Sequence, residues 1–251
     1  KLRPYQEQVK SRIYTEWESH PNVLCVMPTG AGKTKLFSSI IIDTAVTPHS
    51  KLNTAVLVHR KELVQQISLT LAEEQIIHNI IAPQATVMQI ISAQRRVYNS
   101  QYYHHASPIS VISVDTLNAR AGRMEQWAQG IKQWIVDEAA HVLKDNKWGK
   151  ATAMFPNAIR GLGVTATPER LDGKGLGSHA KGVFDTMVEG PSVRWLIDKG
   201  FLSKYKVVVP RSDYEKFLKR SSSTADFSKA NMEEAAQKSQ IVGDVVENYI
   251  K

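Results

Sequence analysis

The sequence contains little cysteine and no long hydrophobic run, and both absences narrow the class of protein. Cys25 is the only cysteine among 251 residues, so no intrachain disulfide can form. It lies in the apolar segment NVLCVM, which favours a small core residue and a reducing, cytoplasmic setting. No run of about 18 apolar residues occurs, so no membrane-spanning helix and no membrane partner are expected. No signal-peptide pattern is recognisable at the start of the sequence.

The charge balance is basic, with a formal net charge of +8. A basic surplus favours polyanionic partners, of which nucleic acid is the first candidate. Net charge alone does not distinguish a nucleic-acid-binding protein from a protein whose basic surface only keeps it soluble. The hydrophobic fraction of 42% is typical of a globular protein. The length allows one large α/β domain with part of another, or two small domains.

Five short apolar segments without polar alternation predict strands that are buried on both faces of a parallel sheet. Longer segments with helical periodicity lie between them, and Leu63, Ile67 and Leu71 recur at helical spacing after the second. This alternation predicts an α/β fold with a doubly wound, mostly parallel sheet. The predicted strands cover residues 22–27, 53–59, 109–114, 133–138 and 161–167, and the predicted helices include 33–45, 60–75 and 191–202.

The segment PTGAGKT follows the first predicted strand and precedes a predicted helix. Free N–H groups and the helix dipole attract phosphate at such a helix start. Glycine at positions 30 and 32 permits close backbone approach to a ligand. Lys33 can reach the β- and γ-phosphates, and Thr34 can bind Mg²⁺ through its hydroxyl. The expected nucleotide contacts are Thr29, Gly30, Ala31, Gly32, Lys33 and Thr34.

The match to the strict phosphate-loop pattern is partial. That pattern has glycine at position 27, where this chain has Met27. The competing interpretation is an ordinary glycine turn before a helix. The specificity of the string P-T-G-x-G-K-T favours the phosphate loop.

The segment IVDEAAH supplies the acidic groups that a nucleotide site needs beside a phosphate loop. We expect Asp137 to hold Mg²⁺ and Glu138 to orient and activate the attacking water. His141 is expected to link the nucleotide site to a neighbouring element. A solvated acidic helix cap is the alternative when the pair is considered in isolation.

The motifs PTGAGKT, DEAAH and TAT, in this order, resemble those of the first RecA-like domain of superfamily 2 helicases of the DEAD/DEAH-box kind. Three further segments extend the resemblance: LRPYQ at 2–6, VHRKEL at 58–63 and SVDTL at 113–117. The continuation TATPERLDGKGLG is similar to DNA-repair and phage-type members. The resemblance implies a P-loop NTPase that uses ATP with Mg²⁺. We expect it in the cytoplasm, as a bacterial protein or a phage protein in a bacterial host, or in the nucleus if the source is a eukaryote.

The resemblance also implies roles for residues outside the phosphate loop. Gln6 would read the adenine edge, with Arg3 beside it. Three residues would grip the nucleic-acid backbone, and two would couple ATP state to that grip. The grip residues are His59, Arg60 and Thr116, and the coupling residues are Thr165 and Thr167. The alternative for His59 and Arg60 is a polar strand end that caps the next helix. The alternative for Thr165 and Thr167 is ordinary packing within a β-strand.

The predicted organisation is a first RecA-like domain at 1–205, followed at 206–251 by a linker and the start of a second RecA-like domain. In such helicases the second domain, acting in cis, donates an arginine finger to the bound ATP. No string of the form Q-x-x-G-R-x-x-R follows residue 170. We therefore expect residues 1–251 alone to bind ATP and to hydrolyse it poorly.

The leading hypothesis is an ATP-dependent DNA helicase or translocase, because TATPERLDGKGLG resembles DNA-repair members. An RNA helicase stays open, since the first domain contacts mainly the backbone. An ATP-gated nucleic-acid sensor or clamp is the alternative from another class. A P-loop kinase or small GTPase is disfavoured, because no N-K-x-D string is present and DEAAH would be unexplained.

Overall fold

A parallel β-sheet forms the centre of the computed structural model, which describes residues 1–47, 51–168 and 175–205. In the described residues the sheet has seven strands in the order β3-β4-β2-β5-β6-β1-β7, and every neighbouring pair is parallel. The strands are β1 (Asn22–Val26), β2 (Thr54–Val58), β3 (Asn79–Ile81), β4 (Ile109–Ser113), β5 (Gln133–Asp137), β6 (Arg160–Thr165) and β7 (Thr186–Glu189).

Eight α-helices connect and cover the described strands. They are α1 (Pro4–Glu16), α2 (Lys33–Ile41), α3 (Lys61–Glu73), α4 (Gln84–Tyr98), α5 (Val114–Ala119), α6 (Ala121–Gln129), α7 (Lys147–Ala153) and α8 (Val193–Asp198). A π-helical turn, Ile42–Val46, extends α2. A 3₁₀ turn, Ala139–His141, follows β5.

Side chains that alternate along the strands divide the core into two layers. Val23 and Cys25 face one layer, which includes apolar side chains of α1, α2, α3 and α4. Leu24 faces the other layer, which includes side chains of α5, α6 and α7. Helices on both faces of a parallel sheet are the doubly wound arrangement, so the predicted fold class is confirmed.

Cys25 is fully buried in this core. Burial raises the pKa of its thiol to about 12, so the thiol stays protonated and unreactive near neutral pH. The expected role as a small core residue is confirmed.

The five predicted strands are observed with ends within two residues of the prediction. Helix α3 is also close to its predicted range, whereas α2 ends at Ile41 and continues as the π-helical turn. The predicted helix at 191–202 is shorter, because Gly200 at φ 73° follows its last turn. Residues 206–251, including the predicted linker, lie outside the described residues.

Residues 1–202 form one compact unit. No helix within residues 1–47, 51–168 and 175–205 is long and apolar enough to cross a membrane.

Candidate nucleotide and nucleic-acid site

The carboxyl ends of the central strands are aligned along one edge of the sheet, where parallel α/β proteins bind ligands. Each predicted motif follows one of these strand ends: PTGAGKT after β1, VHRKEL at β2, SVDTL at β4, DEAAH at β5 and TAT at β6. The register shows the alignment directly. The paired residues are Val26 with Thr165, Val164 with Asp137, Leu57 with Val136, and Val58 with Ser113.

The predicted phosphate loop has the backbone that its glycines suggest. Gly30 and Gly32 both have φ of 81°, in the left-handed region that favours glycine. A Cβ on Gly32 would collide with the side-chain amide of Gln6, so any larger residue there would displace that amide. Helix α2 begins at Lys33, and its first N–H groups therefore lack intrahelical acceptors. Such a helix start fits an anionic phosphate.

Met27 continues β1 and is not part of the left-handed loop. Its N–H donates to the Thr165 carbonyl at 2.9 Å, and its side chain is fully buried. Position 27 has no positive φ, so its backbone does not require glycine. The departure from the strict pattern is therefore compatible with a phosphate-loop backbone.

Lys33 lies between the loop backbone and the acidic strand end. Its ammonium donates to the Met27 carbonyl at 3.3 Å. Its positive charge also lowers the pKa of Asp137, although burial and the charge of Glu138 outweigh it and raise that pKa overall. The phosphate loop and DEAAH follow β1 and β5, the two neighbours of β6 in the sheet, so both motifs lie at the same part of the sheet edge.

Asp137 and Glu138 differ in environment. Asp137 is 8% exposed, and its Oδ1 accepts the Glu138 N–H at 3.0 Å, which orients the carboxylate. Glu138 is exposed and has φ of 56°, an uncommon conformation for a residue with a side chain. Strained backbone of this kind is frequent at functional sites. The carboxylate of Asp137 and the hydroxyl of Thr34 are hard oxygen ligands of the type that Mg²⁺ prefers.

His141 ends the 3₁₀ turn after this pair and is exposed. Its carbonyl accepts a hydrogen bond from Asn146 Nδ2 at 2.6 Å. Asn146 also caps α7, because its Oδ1 accepts the N–H groups of Trp148 and Gly149 at 2.9 and 3.2 Å. The backbone of His141 thereby connects DEAAH to α7, and the predicted linking role of the His141 side chain stays a prediction.

Gln6 is 4% exposed, and its amide is engaged at both ends. Oε1 accepts the Arg3 N–H at 2.8 Å, while Nε2 donates to the carbonyls of Ala31 and Gly32 at 3.0 and 3.3 Å. Tyr5 donates its hydroxyl to the same Ala31 carbonyl at 2.9 Å. Helix α1 therefore supports the phosphate loop directly, and the adenine contact of Gln6 stays a prediction.

Arg3 is exposed at the start of α1. Its guanidinium lies 5.3 Å from the ring centroid of Phe201 and donates to the Phe201 carbonyl at 3.4 Å. Sequence reasoning missed Tyr5 and Phe201. Tyr5 is part of LRPYQ and adjoins Gln6, whereas no local signal identifies Phe201 as a neighbour of Arg3.

Thr165 is fully buried at the end of β6. Its hydroxyl donates to the Thr167 carbonyl at 3.1 Å and accepts the Thr167 N–H at 3.2 Å. Its own carbonyl accepts the Met27 N–H, so TAT is hydrogen-bonded to the first residue after β1. This hydrogen bond connects TAT to the residue that directly precedes PTGAGKT. The coupling role of both threonines stays a prediction.

The three predicted grip residues follow neighbouring strands. His59 and Arg60 follow β2, and Thr116 lies in α5 directly after β4. Arg60 is exposed, while His59 and Thr116 are partly exposed. The structure thus places these side chains at the same sheet edge as the nucleotide motifs, and their contact with nucleic acid stays a prediction.

This parallel sheet, with its motifs at one edge, has the RecA-like architecture of the motor domains of superfamily 2 helicases. Residues 1–170 match the family described as "Type III restriction enzyme, res subunit", and the chain belongs to that family. Membership supports nucleic-acid-dependent ATPase or helicase function in general terms.

Several known proteins are similar to this chain. A 51.5 kDa protein of Lactococcus phage (isolate 7-9) is 28% identical over 225 residues, which cover 89% of this chain and 40% of that protein. The chain thus spans well under half the length of this curated relative.

Two solved structures share the fold. A nuclease-deletion mutant of the Type ISP restriction-modification enzyme LlaGI, in complex with a DNA substrate mimic, has a TM-score of 0.59 and 14% identity, covering 86% of this chain and 22% of that one. The UvsW helicase from bacteriophage T4 has a TM-score of 0.54 and 12% identity, covering 74% of this chain and 59% of that one.

Proposed function

We propose that this chain is the first motor domain of an ATP-dependent DNA helicase or translocase. The observation that carries the proposal is the single sheet edge that holds both groups of motifs. Lys33 follows β1 and Asp137 ends β5, and these strands are the two neighbours of β6 in the sheet. The predicted grip residues follow β2 and β4, further along the same sheet.

In this proposal each residue of the nucleotide site has a specific role. The start of α2 and Lys33 bind the phosphates of ATP, and Gln6 and Arg3 lie on the side expected for the base. Asp137 and Thr34 hold Mg²⁺, which neutralises phosphate charge when bound. Glu138 orients a water molecule for attack on the γ-phosphorus and accepts its proton.

The grip residues hold the strand while ATP is bound. His59, Arg60 and Thr116 contact backbone phosphates, which supply affinity without sequence information. Thr165, hydrogen-bonded to Met27 just before the phosphate loop, transmits the nucleotide state together with Thr167. ATP binding closes this domain and a second RecA-like domain, expected from about residue 206, on the strand, and hydrolysis releases it. Repeated cycles produce translocation or remodelling.

DNA is the preferred substrate in this proposal. The segment TATPERLDGKGLG is similar to DNA-repair and phage-type helicases. Two structural neighbours are described with DNA: LlaGI with a DNA substrate mimic, and a Sulfolobus solfataricus SWI2/SNF2 ATPase core with dsDNA at a TM-score of 0.51. A further neighbour, from Sulfolobus tokodaii, is described as a hypothetical ATP-dependent RNA helicase, so RNA belongs in the test.

The test is the steady-state ATPase rate of the full-length protein, including any chain beyond residue 251. The rate is measured without nucleic acid and then with duplex DNA, branched DNA and single-stranded RNA. Stimulation by DNA that Glu138→Gln abolishes is the expected result. Glu125→Gln, which removes an exposed carboxylate from α6, is the matched control and should retain the stimulation.

Each other outcome has a definite meaning. Stimulation by RNA alone overturns the choice of DNA and leaves the nucleotide site intact. Binding of nucleic acid that depends on ATP but never stimulates hydrolysis favours a gated clamp. Full activity of Glu138→Gln overturns the assignment of the water-activating residue.

A further inference from the structure

Three charged or polar side chains meet beside the predicted grip residues, and we call them the His59–Asp115–Lys147 cluster. Lys147 Nζ lies 2.9 Å from Asp115 Oδ1 and 3.1 Å from His59 Nδ1. The three come from different elements: the end of β2, the first turn of α5 and the start of α7. The sequence prediction includes His59 and omits the other two.

The contact between Lys147 and His59 indicates which partner donates the hydrogen bond at His59 Nδ1. An ammonium group has donors and no acceptor, so Lys147 donates and His59 Nδ1 accepts. With Nδ1 accepting from Lys147, Nε2 is the ring nitrogen left to face a phosphate. Asp115 Oδ2 lies farther from Nδ1, at 3.7 Å, so Lys147 is the nearer partner of that nitrogen. The cluster thus presents two donors, the Lys147 ammonium and His59 Nε2–H.

The carboxylate of Asp115 is exchangeable. The side chains of Lys147 and Asp115 are 41% and 59% exposed, and exposed ion pairs contribute little to stability. A phosphodiester carries one negative charge and accepts the same hydrogen bonds as a carboxylate. A backbone phosphate can therefore replace Asp115 on Lys147 with little loss to the fold.

Lys147 also has a fixed support. It is the first residue of α7, whose start is capped by Asn146. Trp148 is buried, and its ring lies 5.8 Å from that of His59. A Cβ on Gly149 would collide with the Leu143 carbonyl, so α7 packs closely against the segment that follows DEAAH.

We infer that Lys147 and His59 form a phosphate-binding pair for the nucleic-acid backbone, and that Asp115 occupies this pair when no strand is bound. The inference rests on the proposed function. It adds Lys147 to the nucleic-acid interface and makes Asp115 a built-in competitor of the strand. Affinity for nucleic acid is thereby held below what the basic groups alone would give.

The experiment measures dissociation constants of the full-length protein for fluorescent single-stranded DNA and RNA, across a salt series. Asp115→Asn keeps the shape and removes the competing charge, so binding should tighten by about two- to fivefold. Lys147→Gln should weaken binding by about tenfold and reduce the salt slope by about one. In the double variant, Asp115→Asn should lose most of its tightening effect.

The ion pair between Lys35 and Glu73 supplies a matched control. Its atoms are 2.7 Å apart, and its side chains are 41% and 56% exposed. Glu73→Gln removes the same type of charge and should leave the dissociation constant unchanged. Equal tightening by Glu73→Gln would show an effect of net charge alone and overturn the inference.

The results also separate this inference from the proposed function. A wild-type protein that binds neither strand contradicts both. Normal binding by the wild type, with unchanged or weaker binding by Asp115→Asn, contradicts only the competitor role of Asp115. Normal binding by Lys147→Gln with an unchanged salt slope removes Lys147 from the interface.

Discussion

Met27 lies at the end of β1, with its side chain packed beside Gly190. A Cβ at position 190 would lie 2.7 Å from Met27 Cγ, which shows how closely the two meet. The packing predicts that Met27→Gly, which restores the strict phosphate-loop pattern, destabilises the protein. We expect a loss of about 3 kcal/mol in the free energy of unfolding, because a fully buried side chain is deleted.

Urea unfolding and ATP binding measure this effect. Met27→Leu conserves volume and should cost less than about 1.5 kcal/mol. A Met27→Gly variant as stable as the wild type, or with much tighter ATP binding, would contradict the structural role of this methionine.

Asp137 illustrates a conflict between stability and function at one residue. Burial and the adjacent Glu138 raise its pKa, so the ionised carboxylate is unfavourable in the folded protein without nucleotide. Asp137→Asn retains an oxygen that can accept the Glu138 N–H. We expect this variant to gain about 1 kcal/mol in the free energy of unfolding near pH 7 and to lose ATP hydrolysis. Thermal unfolding without Mg²⁺ and an ATPase assay test both parts, and a less stable variant refutes the first.

At the scale of elements, a buried polar network joins α3, α4 and the start of β3. His78 is fully buried, with Nδ1 2.8 Å from the Ile76 carbonyl and Nε2 2.8 Å from Ser68 Oγ. Gln94 donates to Ser68 Oγ at 2.9 Å and accepts the Tyr102 N–H at 2.8 Å. Burial lowers the pKa of His78 to about 4, despite the opposing effect of the Ile76 carbonyl.

The sign of the pH dependence follows from this lowered pKa. As pH falls from about 6.5 to about 4, the unfolded chain binds a proton at His78 that the folded chain does not. The wild type should lose about 3 kcal/mol over this range through His78, whereas His78→Gln should lack this component. Urea unfolding of both proteins at several pH values measures the difference. Parallel pH profiles would show that the imidazole is not kept neutral by burial.

At the scale of the whole molecule, one sheet edge holds the predicted ATP-binding motifs, and no arginine-finger string of the form Q-x-x-G-R-x-x-R follows residue 170. An arginine finger contributes about 10³–10⁵ in rate in related phosphoryl-transfer systems. Residues 1–251 alone should therefore bind ATP while hydrolysing it at least about 10³-fold more slowly than the full-length protein with nucleic acid. Binding of a fluorescent ATP analogue and steady-state hydrolysis test this directly. Comparable nucleic-acid-stimulated turnover by the two proteins would contradict it.

Much of the fold was predictable because its signals are local. Central strands such as β2 and β5 are buried on both faces, so their sequences are continuously apolar. The strands missed are β3, which has three residues, and β7, where only Val188 is buried. These two strands form by pairing with β4 and β1, and the hydrophobic periodicity of a sequence contains no information on such pairing.

The sequence by itself determined the fold class and the order of the motifs, and it predicted the chemistry of PTGAGKT and DEAAH. Those properties depend on residue type and short spacing, since a glycine turn before a helix creates phosphate donors locally. Only the tertiary structure decided that Gln6 bonds to the loop backbone, that Met27 is a core residue, and that Lys147 meets Asp115 and His59. These contacts join residues from about 25 to 88 positions apart, and packing of separate elements brings such residues together.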